Sequence, residues 1–108
     1  MAIDADLIAV AGTVMQSGGF RADAIELPPK KVSRINAAGF TDITNDAEVF
    51  IFHNLTTSQT VFIRVNLDSD NTAAATGDSQ SVRVDPGESL AFGLPVNVDA
   101  TAYKLSVA

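Results

Sequence analysis

Two apolar stretches decide the fold of this chain: EVFIFH at residues 48–53 and TVFIRV at residues 60–65. Both are rich in β-branched and aromatic residues, which favour extended strands over helices. The polar connection between them, NLTTSQ at residues 54–59, is typical of a hairpin with a longer loop. We therefore predict that the two strands pair antiparallel in the middle of one sheet.

The first of these strands is apolar on both faces. Val49 and Ile51 alternate with Phe50 and Phe52, and successive side chains of a strand point to opposite sides of the sheet. Strands of that kind are usually covered on both sides. The stretch at residues 60–65 has the same character, so we expect both strands to be covered on both sides of the sheet.

Further strands follow downstream. A polar loop of small residues, Asp68–Asp78, precedes a strand at Gln80–Val84; we expect this loop to be exposed and mobile. The sequence Asp85–Glu88 predicts a type II turn, because Pro fits its second position and Gly accepts a positive φ at its third. Alternating patterns predict two more strands, at Ser89–Phe92 and Thr101–Val107.

The first half is less regular. Ala24–Leu27 and Lys31–Ile35 have strand patterns on either side of Pro28–Pro29, where two prolines prevent strand pairing. Phe40–Asn45 fits a short strand or a turn, and Leu7–Met15 fits a strand or a short helix equally well. The whole pattern predicts an all-β fold, an antiparallel β-sandwich or jelly roll of about seven or eight strands. Residues 1–22 are an N-terminal arm or the first strand, and residues 23–108 are the sandwich domain.

Composition favours assembly. The chain is 46% hydrophobic and only 19% charged, although a small domain needs a large polar surface. Part of its surface is therefore expected to be covered by copies of itself or by a larger particle; alternatively, abundant Ala inflates the count. The net charge of −6 and scattered basic residues argue against nucleic-acid partners.

Compartment and membrane signals are weak. There is no cysteine for disulfides, thiolate metal sites or nucleophilic catalysis. Asp4 and Asp6 lie near the N-terminus without a basic region before them, which argues against a secretory signal. No apolar run has the length of a membrane span, so we expect no membrane partner.

The segment from Glu48 to Val107 resembles small virion proteins of tailed bacteriophages. The resemblance rests on the two stretches at residues 49–56 and 60–65, on SVRVDPGES at residues 81–89, and on the C-terminal strand. Such domains often decorate or cement capsids, or form parts of tails and baseplates, and many are trimeric. The resemblance implies a homo-oligomer that binds the major capsid protein on the virion surface after synthesis in the host cytoplasm. It brings no catalytic or ligand residue.

Candidate chemistry is sparse. His53 is the only histidine, whereas a metal site or a catalytic His needs further groups, so we interpret it as a structural or edge residue. The loop residues Asp68, Asp70, Asn71 and Asp78 offer the oxygen ligands that Ca²⁺ prefers. However, Ala and Ser occupy positions 73 and 79, where an EF-hand has Gly and Glu, and a solvated loop is the better interpretation.

Carboxylates for glycoside hydrolysis are also scattered. Glu26, Glu48 and Glu88 lie on separate strands and turns, and nothing places two of them at the required separation. Asn54–Thr56 matches a glycosylation acceptor, which we interpret as a chance match in a turn. We expect no enzymatic activity and no catalytic, metal or cofactor site.

Three functions remain open. The leading hypothesis is a capsid decoration or cement protein, with the arm at Met1–Phe20 and the display loop at Asp68–Asp78 as the first regions to test. A receptor- or carbohydrate-binding module is an alternative, although the chain has no Trp and one Tyr for sugar stacking. A head–tail connector or tail component is the third, and composition does not distinguish it from the first.

Overall fold

A computed structural model describes residues 3–10, 16–17, 20–21, 31–43, 49–94 and 103–108. These residues form strands, turns and loops, and none of them is helical. The prediction of an all-β antiparallel sandwich is confirmed. Within the described residues no helix is long and apolar enough to cross a membrane.

The strands are short, as expected for a sandwich of this size. They are β1 (Ala5–Val10), β2 (Gln16–Ser17), β3 (Phe20–Arg21), β4 (Lys31–Ile35), β5 (Gly39–Ile43), β6 (Val49–Asn54), β7 (Val61–Leu67), β8 (Val82–Val84), β9 (Ser89–Gly93) and β10 (Tyr103–Val107).

Eight of these strands form two antiparallel sheets. Sheet I has the order β4-β1-β6-β9, and sheet II has the order β5-β10-β7-β8. Within the part of the chain that the structure describes, strands β2 and β3 pair only with each other. The central strands of the two sheets are therefore β1 and β6 in sheet I and β10 and β7 in sheet II.

The core lies between the inner faces of the two sheets. Its members alternate with outward residues along each strand, as the two-residue period requires. Sheet I contributes Ile3, Ala5, Leu7, Ala9, Ile35, Phe50 and Phe52, and sheet II contributes Ile43, Val61, Ile63, Val84, Leu105 and Val107. Phe50 also stacks on Phe92 of β9 with ring centroids 5.6 Å apart.

The predicted hairpin is wrong. β6 and β7 are central strands, but β6 lies in sheet I and β7 in sheet II, so the connection between them crosses from one sheet to the other. A polar loop of this length fits a hairpin and an inter-sheet arch equally well. The apolar pattern of each strand shows that it is covered but does not identify its hydrogen-bonded neighbour.

Asn54 holds this arch. Its side chain is completely buried, and its Nδ2 donates to the carbonyl oxygens of Gln59, at 2.8 Å, and of Val84, at 3.1 Å. Its Oδ1 accepts from the backbone N and the Oγ1 of Thr56, at 3.0 and 2.7 Å. One amide side chain thus closes the loop and ties it to β8 in the opposite sheet. The glycosylation pattern at Asn54 has its acceptor nitrogen inside the fold.

Other predictions can be compared with the structure element by element. Residues 5–10 form a central strand of sheet I, so this part of residues 1–22 is a strand and not a free arm. Lys31–Ile35 is a strand as predicted, and residues 39–43 form a strand where a strand or a turn was expected. The Asp85–Glu88 turn is confirmed by a 3.0 Å hydrogen bond from Glu88 N to Asp85 O and by a φ of 75° at Gly87. Ala24–Leu27 lies outside the described residues.

Candidate functional site

The outer face of sheet I carries an apolar row across all its strands. Leu7 and Ala9 point into the core, so Ile8 points outward. The register places Val32 and Ile51 on either side of Ile8, and Ala91 beside Ile51. We call these four residues the apolar row. Val32 is 53% exposed, Ala91 is exposed, and the two isoleucines are partly exposed.

A second, charged row runs beside the first. Arg34, Asp6, His53 and Ser89 are neighbours across the same strands. Arg34 NH2 lies 2.7 Å from Asp4 Oδ1, and its NH1 lies 3.6 Å from Asp6 Oδ1. Exposed pairs of this kind contribute little to stability, about 0–1 kcal/mol. The row gives the apolar row a polar border, which is the arrangement found in protein interfaces.

The sequence predicted an edge or structural role for His53. It lies in the central strand β6, on the outer face, with Asp6 and Ser89 as its register partners. Among the described residues, no three His, Cys, Asp or Glu side chains cluster closely enough to hold a metal ion. Of the predicted glutamates, Glu88 is exposed in the turn before β9, and Glu26 and Glu48 lie outside the described residues.

The outer face of sheet II is polar and covered. Arg64 and Asn66 of β7 and Lys104 and Ser106 of β10 are all buried, between 1% and 9% exposed. Their register brings Arg64 opposite Ser106 and Asn66 opposite Lys104. Residues 68–81, which we call the strap, run over these four side chains and bond to them.

The middle of the strap is fixed by neutral hydrogen bonds. Asn66 Nδ2 donates to the carbonyl oxygens of Asp70 and Thr72, at 3.1 and 2.7 Å. Ala74 N donates to Ser106 Oγ at 2.8 Å, and Ala74 itself is only 4% exposed. Most of the loop Asp68–Asp78 is exposed as predicted, but its inner side is bonded to sheet II, which the sequence analysis did not predict. Small residues let the backbone approach the sheet closely enough to bond with it.

Both ends of the strap are held by one arginine. Arg64 NH1 donates to Asn66 Oδ1 at 2.7 Å and to Asp70 Oδ2 at 3.2 Å, and its NH2 donates to Gln80 Oε1 at 2.8 Å. Its Nε lies 3.0 Å from Asp78 Oδ2, in poor alignment for a hydrogen bond. Of the carboxylates considered as calcium ligands, Asp70 and Asp78 face a guanidinium, which takes the place a cation would have, whereas Asp68 is exposed.

The pKa values of both carboxyl groups are lowered. For Asp70 the main cause is the pair of bonds from Thr72, whose Oγ1 and N lie 2.7 and 3.0 Å from Asp70 Oδ1, and Arg64 adds to it. For Asp78 the bonds from Gln80 N and Ser81 Oγ lower the pKa most, followed by the charge of Arg64. Each carboxylate uses both oxygens as acceptors, so protonation removes an acceptor that is in use.

Lys104 completes the cationic side of this face. Its Nζ donates to Asn71 Oδ1 in the strap and lies 4.6 Å from the ring centroid of Phe40. That distance is within the range of a cation–π contact. Phe40 is 45% exposed on the outer face of sheet II, where the register also places Phe62 of β7.

A shallow cleft opens between the edge strands β4 and β5. Its cavity volume is about 10 Å³, and it is lined by Leu7, Ala9, Lys31, Ser33, Asp42, Ile43 and Phe50. Sites for small molecules usually measure about 300–1,000 Å³. The cleft is therefore small for a substrate, and the two outer faces are the stronger candidates for function.

The chain matches no protein-family model, no curated protein and no solved structure. The functional argument therefore rests on its own residues. Sequence reasoning missed the cluster of Arg64, Asn66, Lys104 and Ser106. A signal was present, because these polar residues occupy alternate positions of two otherwise apolar strands next to a loop rich in Asp and Asn. That combination indicates a polar sheet face with an intramolecular cover.

Proposed function

We propose that this protein is a non-enzymatic structural protein of a virion, a capsid decoration or cement protein that works as a homo-oligomer on the major capsid protein. The observation that carries the proposal is the apolar row on the outer face of sheet I. An exposed sheet face with aliphatic side chains at its centre and charges at its border has the composition of a docking surface. The resemblance to small phage virion proteins supports the capsid of a tailed phage as the particle that is bound.

The size of the row bears on how it would bind. Four strands about 4.8 Å apart give a row roughly 15 Å long, and a stable interface buries about 800 Å² on each partner. The row alone is too small for strong binding, so the charged row must join the contact. An oligomer on a shell with repeated sites gains affinity from several weak contacts at once. That suits a cement protein, whose combined contacts oppose expansion of the shell.

Light scattering of the purified chain, alone and mixed with expanded heads of tailed phages, tests the proposal. The free chain should have a mass above the 11.3 kDa of one copy, and it should sediment with the heads. A chain that is monomeric in solution and does not bind to the heads would contradict the proposal. Negative-stain images of decorated heads should show many copies over the shell, whereas copies confined to one vertex would indicate a connector instead.

A matched pair of variants locates the surface. Val32 on sheet I and Val82 on sheet II are both exposed valines of edge strands, at 53% and 46%. Val32→Asp should weaken binding to heads by about tenfold or more, because it places a charge at the β4 end of the apolar row, where the contact would bury it. Val82→Asp should leave binding unchanged. Equal binding of the two variants would remove sheet I from the proposal.

A further inference from the structure

The strap is attached to sheet II almost entirely by polar contacts. Of residues 68–81, only Ala74 is buried, so the strap covers very little apolar surface. Segments with few buried apolar contacts open at a lower free energy than the core. The strap can therefore separate from sheet II without disturbing the apolar core, which lies on the opposite side of that sheet.

Two carboxylates secure the two ends of the strap. Asp70 Oδ2 binds Arg64, and Asp70 Oδ1 binds Thr72. Asp78 Oδ2 lies against Arg64 and accepts from Ser81 Oγ, and Asp78 Oδ1 accepts from Gln80 N. The same two groups thus shape the strap internally and hold it to the sheet. Loss of their charge weakens both sets of contacts together.

We propose that residues 68–81 form a releasable strap, which detaches from sheet II when Asp70 and Asp78 are protonated while the sandwich stays folded. This device is independent of where the protein docks. Release would uncover Arg64, Asn66, Lys104 and Ser106, which are buried beneath the strap.

The surrounding charges favour release in acid. Arg64 and Lys104 lie diagonally across β7 and β10, and both keep their positive charge when the carboxylates lose theirs. Arg83 of β8 is paired with Asp85 at 2.6 Å, Asp42 of β5 lies beside Lys104 in the register, and Asp68 is exposed at the start of the strap. Neutralising Asp70 and Asp78 leaves Arg64 without the two anions that contact it, while Lys104 adds a second positive charge under the strap.

The direction of the pH effect follows from the lowered pKa values. The pKa values of both carboxyl groups are lowered mainly by bonds within the strap, from Thr72 to Asp70 and from Gln80 and Ser81 to Asp78, and further by Arg64 of the sheet. Release removes the part due to Arg64, so the attached strap binds fewer protons than the free strap. Its attachment is at full strength above the unfolded value and is lost as the pH falls through the lowered values. The strap should be closed at neutral pH and open only in strong acid.

Amide hydrogen exchange followed by NMR tests the release. The reporter is the Ala74 amide, which bonds to Ser106 Oγ, and the reference is the set of β7 amides in the centre of sheet II. Between pH 6 and pH 2.5, the protection of Ala74, corrected for intrinsic exchange, should fall by about tenfold or more. The β7 amides should keep their protection from exchange over the same pH range. Simultaneous loss at both places would show global unfolding and overturn the proposal, as would unchanged protection at Ala74.

Two isosteric variants give a second test at pH 6. The double variant Asp70→Asn and Asp78→Asn should open the strap without acid, seen as lost protection at Ala74 with intact β7 amides. Asp68→Asn, in the same strap but exposed, should behave like the parent protein. An equal loss of Ala74 protection in Asp68→Asn would mean that the net charge of the strap, and not the contacts of Asp70 and Asp78, controls its attachment. Full protection of the Ala74 amide in the double variant would show that the neutral hydrogen bonds alone keep the strap attached, and it would overturn the proposal.

Discussion

The two sheets of this sandwich each have four strands, but their outer faces differ in chemistry, with polar residues at the centre of one and apolar residues at the centre of the other. Sheet II presents Arg64, Asn66, Lys104 and Ser106, which are buried under the strap. Sheet I presents the apolar row, whose outer member Val32 is 53% exposed. Hydrogen-bonding groups give a sheet something with which to hold its own loop, whereas an aliphatic face gains only from covering area. The four polar residues of sheet II are covered by the strap, whereas the apolar row of sheet I stays partly exposed and is the surface suited to another molecule.

The largest expected effect tests whether the two faces differ in stability, using one arginine on each. Arg64 on sheet II and Arg34 on sheet I each contact two aspartates, but their side chains are 10% and 59% exposed. Arg64→Gln should lower the free energy of unfolding by about 2 kcal/mol, because its buried partners lose their donors. Arg34→Gln should cost less than about 0.5 kcal/mol.

Urea denaturation measures both changes. The cost of Arg64→Gln cannot exceed the free energy that attaches the strap, since a detached strap no longer uses the arginine. Similar values for the two variants would mean that the buried network adds nothing beyond an ordinary surface ion pair, and the contrast between the faces would fail.

The sequence predicted the layers of the fold better than their connections. Alternating apolar residues locate strands such as β9 and β10, because burial of one face imposes a two-residue period. The same pattern does not show which strands are hydrogen-bonded to each other. The hairpin prediction for residues 48–65 failed because Asn54 directs the loop across the sandwich through bonds to Gln59 and Val84, and a single amide leaves no periodic signal.

The candidate surfaces were predictable to different degrees. The outward valine and isoleucine of β6 already indicated a second covered face for that strand. The sequence predicts a solvated loop for residues 68–78, because their composition is the same for a free loop and for one that bonds to a polar sheet. Only the partners distinguish the two, and Ser106 lies 32 residues from its partner Ala74.

A smaller effect is expected from the hydroxyl under the strap. Ser106 is 1% exposed and accepts from Ala74 N at 2.8 Å. Ser106→Ala should lower the free energy of unfolding by about 1 kcal/mol, because a buried amide loses its acceptor. Ser89→Ala, an exposed strand serine on sheet I, should change it by less than about 0.5 kcal/mol. Thermal unfolding of both variants checks the difference, and equal shifts would show that the Ala74 bond is not needed.

The smallest effect on stability is expected on the apolar row, and it separates folding from assembly. Val32→Thr keeps the β-branched shape and adds a hydroxyl that water can reach, since Val32 is 53% exposed. The free energy of unfolding should therefore stay within about 0.5 kcal/mol of the parent protein. Binding to phage heads should nevertheless weaken, because a hydroxyl that is solvated in the free protein loses its water in the contact. If Val32→Thr lost stability but still bound heads, Val32 would contribute to folding and not to assembly. Sheet I would then have no exposed apolar face available for docking.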